Sequence, residues 1–111
     1  MWICLNNSFV SIVEDFRDES LVTVRGRRLD DVKNFVGDSY KITQTDSRDY
    51  RFRTTVSKFE LSKMLAKCAD KISYNNFKNS VQDEDLKYFY SEVWASGVHN
   101  LDPEWIERQH Y

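Results

Sequence analysis

Four arginines give this chain its clearest potential for chemistry: Arg25, Arg27, Arg51 and Arg53. Alternate residues of a strand point to the same side, so each pair shares one face of its strand. If both strands belong to one sheet, four guanidinium groups line its open side, where each can bind a carboxylate or phosphate through two parallel hydrogen bonds. The pattern predicts a site for an anion, a nucleotide or an acidic partner. The competing interpretation is a solvated face, the commoner arrangement because antiparallel sheets often leave one face in water.

An asparagine-rich segment from residue 74 to residue 81 is the second candidate site. The side chains of Asn75 and Asn76 can hydrogen-bond backbone groups and shape a turn, and Lys78 adds a positive charge. Because loops often carry function, one interpretation is a recognition loop. The other, which we favour, is a structural connector that Tyr74 and Phe77 anchor to the core.

The residues that catalysis or metal binding would need are not spaced for either task. His99 and His110 lie near the end of the chain, with no cysteine nearby to complete a zinc site. The sequence has no Gly-rich phosphate loop and no G-x-S-x-G motif. Carboxylates that could pair for acid-base work fall in turns, where aspartate more often serves backbone geometry. These are Asp15, Asp18, Asp46 and Asp49. We therefore predict a protein that is not an enzyme, with no catalytic residue, metal ligand or cofactor.

Length and composition predict one globular domain of a reducing compartment. The chain has 111 residues, of which 41% are hydrophobic, so it can bury a core without disulfides. The net charge of -2 makes nucleic-acid binding an unfavoured function, because such domains are usually basic. We expect neither a signal peptide nor a membrane span, since a positive N-terminal region and an apolar run of ~20 residues are both missing. Cys4 and Cys68 fall at predicted core positions as free thiols, which favours a cytoplasmic location.

The apolar pattern predicts five strands that would carry these side chains. The first two are joined at Asn6-Asn7, a pair that supports a tight hairpin turn. The turn between the last two contains Asp46 and Asp49. The predicted strands cover residues 1–5, 8–13, 21–25, 40–45 and 50–56.

Helical spacing predicts three helices and a short fourth. The first runs from Leu29 to Val36 and stops at Gly37. The second follows a capping box, Ser57 to Glu60, and buries a stripe at helical spacing. That stripe is Leu61, Met64, Leu65, Cys68 and Ile72. The third runs from residue 83 to residue 96 with Gly97 as its cap, and Asp102-Pro103 begins the fourth. The residues of the third helix expected to face inward are Leu86, Phe89, Tyr90, Val93 and Trp94.

These elements predict an α+β fold. Strands joined by short turns pair antiparallel, and amphipathic helices need an apolar sheet face to cover. We expect an antiparallel sheet of about five strands with two to three helices packed on one face, and the strand order stays open. Residues 1–96 form the predicted single domain, and residues 97–111 form a C-terminal extension with a short helix.

The chain resembles an uncharacterised family of small bacterial and bacteriophage proteins over roughly residues 1–94. The shared motifs are Met-Trp, Leu-Asn, Phe-x-Ser-Ile-Val, Asp-Tyr-Arg-Phe-Arg, Tyr-x-Asn-Phe-Lys-x-Ser-Val and a late Val-Trp. Here they are Met1-Trp2, Leu5-Asn6, residues 9–13, residues 49–53, residues 74–81 and Val93-Trp94. The resemblance implies a phage or prophage accessory protein, located in the host cytoplasm if a phage encodes it, and implies no activity.

These observations lead us to expect a small binding protein that docks on a host or partner protein as an inhibitor or modulator. The alternative is a small-molecule or nucleotide binder that uses the arginine-lined sheet face. We expect a protein partner and no membrane association. The sequence leaves open the identity of the partner and the formation of a homo-oligomer.

Overall fold

The structure, a computed structural model, describes residues 1–109 of the chain. Its strands are β1 (Trp2–Leu5), β2 (Ser8–Asp15), β3 (Asp18–Gly26), β4 (Thr43–Gln44) and β5 (Phe52–Ser57). Its helices are α1 (Leu29–Val36), α2 (Lys58–Asp70), α3 (Phe77–Ser80), α4 (Glu84–Leu101) and α5 (Trp105–Arg108).

The strands form one antiparallel sheet in the order β1-β2-β3-β5-β4. Apolar residues alternate along β2, β3 and β5, which is the pattern of strands with one buried face. The buried residues of that face include Val10, Ile12, Val22, Val24 and Val56. The predicted fold class, α+β with an antiparallel sheet of about five strands, is confirmed.

Helices α1 and α2 cover this buried face. Val32 and Phe35 of α1 and Leu61 of α2 pack in the same core cluster as the strand valines. Gly26, at the end of β3, lets α1 approach the sheet, because a Cβ at this position would lie 2.8 Å from a methyl carbon of Val32. We call the opposite side of the sheet the open face; α4 covers it only beside Phe9, near the β1–β2 hairpin.

Local signals set the ends of these two helices as the sequence predicts. Gly37 follows α1 with a φ of 89°, a left-handed conformation that a glycine adopts without strain. The capping box before α2 is confirmed. The Glu60 amide donates to the Ser57 hydroxyl at 3.0 Å, and the Ser57 amide donates to the Glu60 carboxylate at 2.9 Å.

Helix α4 packs in a second, smaller cluster. Leu86 and Tyr90 are buried there with Val81, beside Phe9 of β2 and Phe77 of α3. The Tyr90 hydroxyl lies 2.8 Å from the carbonyl oxygens of both Leu5 and Ser8, so it ties α4 to the β1–β2 hairpin. Burial is the main cause that raises the pKa of Tyr90, so the hydroxyl keeps its proton and remains a donor.

The outer half of α4 extends away from the rest of the molecule. The radius of gyration is 16.2 Å, against about 13 Å for a compact domain of this length. The predicted end of this helix at Gly97 is wrong. The helix runs through Gly97 to Leu101, because the residue before Pro103 is the first that a proline forces out of helical geometry. The last helix begins at Trp105, later than the predicted start at Asp102-Pro103. Residues 97–101, predicted to belong to the C-terminal extension, continue α4 instead.

Three further sequence predictions differ from the structure. The fourth strand shrinks to Thr43–Gln44, because Tyr40 turns towards α2 and its hydroxyl donates to Glu60. Ile72 is 61% exposed and not part of the buried stripe, because α2 ends at Asp70. Cys4 is exposed and not in the core, because strand alternation places it on the open face.

We expect Leu61→Ala to lower the free energy of unfolding by ~2–5 kcal/mol, because it removes buried methyl groups and leaves a cavity. Leu61 is 9% exposed at the contact between α2 and the sheet. The matched control is Ile72→Ala, which should stay within about 0.5 kcal/mol of the wild type. Urea unfolding curves measure both, with the slope unchanged. Equal losses in the two variants would contradict this placement of the core.

We expect Tyr90→Phe to lower the free energy of unfolding by ~1–3 kcal/mol, because two carbonyl oxygens of the hairpin lose their shared donor. Hydrogen exchange should also speed up along the first half of α4, which this contact holds against the sheet. Tyr88→Phe is the control, since the Tyr88 ring is exposed. If both variants have wild-type stability, the hydroxyl does not anchor the helix.

Candidate functional site

The strand register brings two of the predicted arginines together. Arg25 of β3 pairs directly with Arg53 of β5, and the same row continues to Ser11 on β2 and Thr43 on β4. Since the flanking valines face the helices, this row lies on the open face. The Arg25 guanidinium donates to the Ser11 hydroxyl at 2.6 Å, which holds the side chain flat against the sheet.

Three of the arginines contact Tyr50: Arg25 and Arg27 lie over its ring, and Arg53 binds its backbone carbonyl. The guanidinium carbons of Arg25 and Arg27 lie 4.8 Å and 4.6 Å from the centre of the Tyr50 ring, which is cation–π geometry. The Arg53 Nε donates to the Tyr50 carbonyl at 3.1 Å, and Arg27 donates to the Asp49 carbonyl at 3.0 Å. With only 6% of its surface exposed, Tyr50 is the centre of the site and not part of its rim.

Arg51 does not join the other three. Its guanidinium pairs with Asp46 at 3.5 Å and lies over the Phe52 ring at 5.1 Å. Strand alternation would also place Tyr50 on the side opposite to Arg51 and Arg53, whereas its ring contacts Arg25 and Arg27. Both differences have one cause: β5 begins at Phe52, so strand alternation does not apply to residues 50 and 51.

The site is strongly positive. Burial is the main cause that lowers the pKa of Arg53, and the neighbouring charges of Arg48 and Arg25 lower it further, while Asp49 opposes them. Arginine remains charged in proteins, so the lowered pKa reflects burial first and repulsion by Arg48 and Arg25 second, and not neutralisation of Arg53. We define the arginine cluster as Arg25, Arg27, Arg48 and Arg53. Within residues 1–109, no member of the cluster forms an ion pair.

A second unfavourable feature of the cluster lies in the side chain of Arg25. Its Nε is buried and has no hydrogen-bond acceptor in the part of the chain that the structure describes. A buried donor without a partner costs about 1–3 kcal/mol. The cluster therefore combines like charges with an orphaned donor, and an anionic group placed on the cluster would relieve the repulsion between the charges.

The Asn-rich segment occupies a different place. It is not a plain loop, because residues 77–80 form α3, and the Asn76 side chain caps that helix by accepting the Asn79 amide at 3.0 Å. The Lys78 amine lies 4.7 Å from the centre of a Trp94 ring. Asn75, Asn76 and Lys78 line a groove of about 450 Å³ together with Cys4 and Trp94.

Two separate depressions border the arginine cluster. Arg27 lines a depression of about 250 Å³ beside Phe9 and Phe89. Arg53 lines another, of about 450 Å³, beside Arg17 and Lys41. The arginine cluster is therefore an open surface whose margins run into shallow depressions.

Exposed apolar side chains surround the groove, although helical spacing predicts that most of them are buried. Phe89, Val93 and Trp94 were predicted to face inward, yet all three are exposed, because only the first half of α4 lies against the sheet. Trp2 is 73% exposed and stacks loosely on Phe9, 6.5 Å between ring centres. Helical spacing identifies an apolar stripe but does not show what covers it.

Arg48 and Tyr50 are the members of the site that sequence reasoning missed. The signal available for Tyr50 was its place inside the Asp-Tyr-Arg-Phe-Arg motif, at residues 49–53. Arg48 lies in the turn before it, where no periodicity applies.

The four aspartates considered for catalysis have other partners or positions. Asp15 is buried and binds Arg17 and Thr23, and Asp18 accepts from the amide and hydroxyl of Ser20. The carboxylate of Asp46 pairs with Arg51, and that of Asp49 accepts the Tyr50 amide. No group of three or more His, Cys, Asp or Glu residues within the described range is placed to hold a metal ion.

Comparisons with known proteins add no relative. Neither a protein-family model nor a curated protein nor a solved structure matches the sequence. In residues 1–109, no helix combines the length and the apolar character that crossing a membrane requires.

We expect Asp15 to make the protein sensitive to acid. Hydrogen bonds from Arg17 are the main cause that lowers the pKa of Asp15 from 3.8 to about 2. A carboxyl whose pKa is depressed by folding stabilises the native state above the unfolded pKa, and this contribution is lost as the pH falls from about 4 to about 2. Asp15→Asn should remove that part of the pH dependence and lower stability at neutral pH.

Thermal unfolding between pH 2 and pH 7 checks this expectation. Asp38→Asn is the matched control, because it makes the same charge change at an exposed position. If Asp15→Asn and Asp38→Asn have the same pH profile, the pair of Asp15 and Arg17 does not govern the acid response.

Proposed function

We propose that this protein is a binding protein that docks on an acidic surface of a partner protein through the arginine cluster. One observation carries the proposal: Arg25 and Arg53 lie side by side on the open face with Arg27 and Arg48 close by, and none of the four forms an ion pair among the described residues, in a chain whose net charge is -2. The chain has 18 acidic residues, more than enough to neutralise the cluster. Their placement elsewhere leaves a concentrated positive surface.

The physical reason to expect a partner there is the cost of the arrangement. The neighbouring charges of Arg48 and Arg25 disfavour the charged form of Arg53, and the buried Nε of Arg25 has no acceptor among residues 1–109. Carboxylates of a partner would offset these like charges, since guanidinium groups and carboxylates form charge-assisted hydrogen bonds of about 1.5–3 kcal/mol. Tyr50 holds Arg25 and Arg27 in place beforehand, so less side-chain entropy is lost on binding.

The openness of the surface favours a protein over a small ligand. Small-molecule sites are concave and enclose most of the ligand, whereas protein interfaces are broad and enriched in arginine and aromatic residues. The arginine cluster lies on a sheet face and its members line separate depressions. The resemblance to small phage and bacterial proteins extends the proposal: the partner is a host protein of the cytoplasm, and binding inhibits or modulates it.

A second function, binding of an anionic small molecule or nucleotide, has one observation in its favour. Arg53, Arg17 and Lys41 line the same cavity of about 450 Å³, which is large enough for a small phosphate ligand. Arg17 is already paired with Asp15 at 3.0 Å, so its charge is partly used. Titration with ATP, with and without Lys41→Gln, tests this alternative.

We expect a fluorescein-labelled decaglutamate peptide to bind the wild-type protein, and Arg27→Gln/Arg53→Gln to weaken that binding at least tenfold, because two charge-assisted contacts are lost. The salt dependence of binding should flatten as well. Fluorescence anisotropy at several salt concentrations measures both effects.

The matched control is Arg51→Gln/Arg108→Gln, which removes the same charge from two arginines outside the cluster. These arginines already pair with Asp46 and Asp102. The control should bind the peptide within about threefold of the wild type, because exposed paired charges contribute little. Equal weakening in both double variants would show that net charge alone, and not the cluster, explains peptide binding. No binding by the wild type would reject the proposal. Competition by ATP would favour the nucleotide alternative instead.

A further inference from the structure

A groove beside the outer edge of the sheet lies apart from the arginine cluster. We call it the edge groove. Cys4 of β1 forms its sheet side, Asn75 and Lys78 form a second side, and Trp94 of α4 forms the third. Its volume is about 450 Å³. The groove therefore combines an edge strand, a helix and a short polar segment in one depression.

Within residues 1–109, the backbone of β1 has no hydrogen-bond partner on the side away from β2. Met1 and Ile12 exchange both of their hydrogen bonds, each 2.8 Å long. In an antiparallel pair, hydrogen-bonded and non-hydrogen-bonded positions alternate, so Trp2 and Cys4 direct their N–H and C=O groups away from β2. These groups form a free strand edge, which can pair with another extended chain.

The lining of the groove shows what kind of chain would fit. Phe77, Val93 and Trp94 supply apolar surface for side chains of an added strand. Among the described residues that line the groove, Lys78 supplies the charge and no carboxylate is present. Its amine lies over the Trp94 ring, 4.7 Å from the centre, and forms no ion pair within residues 1–109.

We propose that the edge groove binds an extended peptide segment of a partner protein, which pairs with β1 as an additional strand and places an acidic side chain on Lys78. Main-chain hydrogen bonds to Trp2 and Cys4 supply affinity, and the apolar wall with Lys78 supplies selectivity. This site is separate from the arginine cluster, and the proposal does not rest on it.

The charge of the groove decides against a second copy of this chain as the occupant. A copy would present its own β1, and residues 1–7 contain no acidic side chain that could meet Lys78. An acidic peptide satisfies the free edge and the amine together. Pairing of two copies through β1 is therefore an outcome that the experiment must be able to detect.

A displayed library of random twelve-residue peptides, selected on the intact wild-type protein, tests the proposal. We expect enriched peptides to contain Asp or Glu among alternating apolar residues. Bound peptide should slow amide hydrogen exchange at Trp2 and Cys4, as measured by NMR. Lys78→Gln should weaken the acidic peptides about tenfold or more, the loss of one charge-assisted contact.

A pair of variants at one position isolates the strand edge. Cys4→Pro removes an outward N–H, a change that edge strands tolerate, whereas Cys4→Ala keeps the N–H and changes the side chain alone. Peptide binding should be at least tenfold weaker in Cys4→Pro than in Cys4→Ala, because both variants lose the Cys4 side chain and only the proline also loses the N–H, with both variants folded by circular dichroism.

Several results would overturn the proposal. Selection without enrichment would do so, as would peptides that bind Cys4→Pro as well as wild type or leave the two amides unprotected. Dimerisation of the wild type in sedimentation that Cys4→Pro abolishes would replace the peptide with a second copy. If Cys4→Pro is unfolded, the test rests on amide hydrogen exchange at Trp2 and Cys4 in the wild-type complex. Slower exchange supports the proposal, and unchanged exchange rejects it.

Discussion

Alternation along β2, β3 and β5 is the constraint on which the rest of this structure depends. Val22 and Val24 of the central strand β3 are buried beneath α1 and α2. Arg25 directly follows Val24 in the strand, so its side chain must face the other side of the sheet. Each buried valine stabilises the fold by roughly 1.5–3 kcal/mol. A slip of one residue would expose these valines and bury Arg25. The same alternation that forms the core therefore places the arginines on the open face.

Charge is distributed unevenly as a consequence. Within residues 1–109, the acidic residues that form ion pairs do so with other cations, as when Arg28 joins Asp31 at 2.8 Å and Asp83 at 3.0 Å. That arrangement ties α1 to the start of α4 and raises the pKa of Arg28, mainly through its hydrogen bonds to Asp31. The arginines around Tyr50 have no such partners in the described part of the chain. Structural arginines and candidate binding arginines are thus distinguished by their neighbours, not by residue type.

The second half of the molecule is held less tightly than the first. A chain of aromatic contacts joins Phe9 to Phe89 at 4.9 Å and Phe77 to Tyr90 at 5.3 Å, so α4 is attached over its first turns. Beyond these contacts the helix continues with exposed apolar residues, including Leu101. Exposed apolar surface next to a free strand edge is typical of places where proteins bind other chains. The fold therefore offers two surfaces of different chemistry, one positive and one mainly apolar.

The sequence by itself determined the elements whose signals are local: the strands on either side of Asn6-Asn7, the α1 stop at Gly37 and the capping box at Ser57. It also determined the α+β class, because strand and helix periodicities differ. Tertiary structure alone decided the strand order, the exposure of Cys4 and the meeting of arginines at Tyr50. These depend on which strands pair and where β5 begins, and neighbours in space leave no mark in local periodicity.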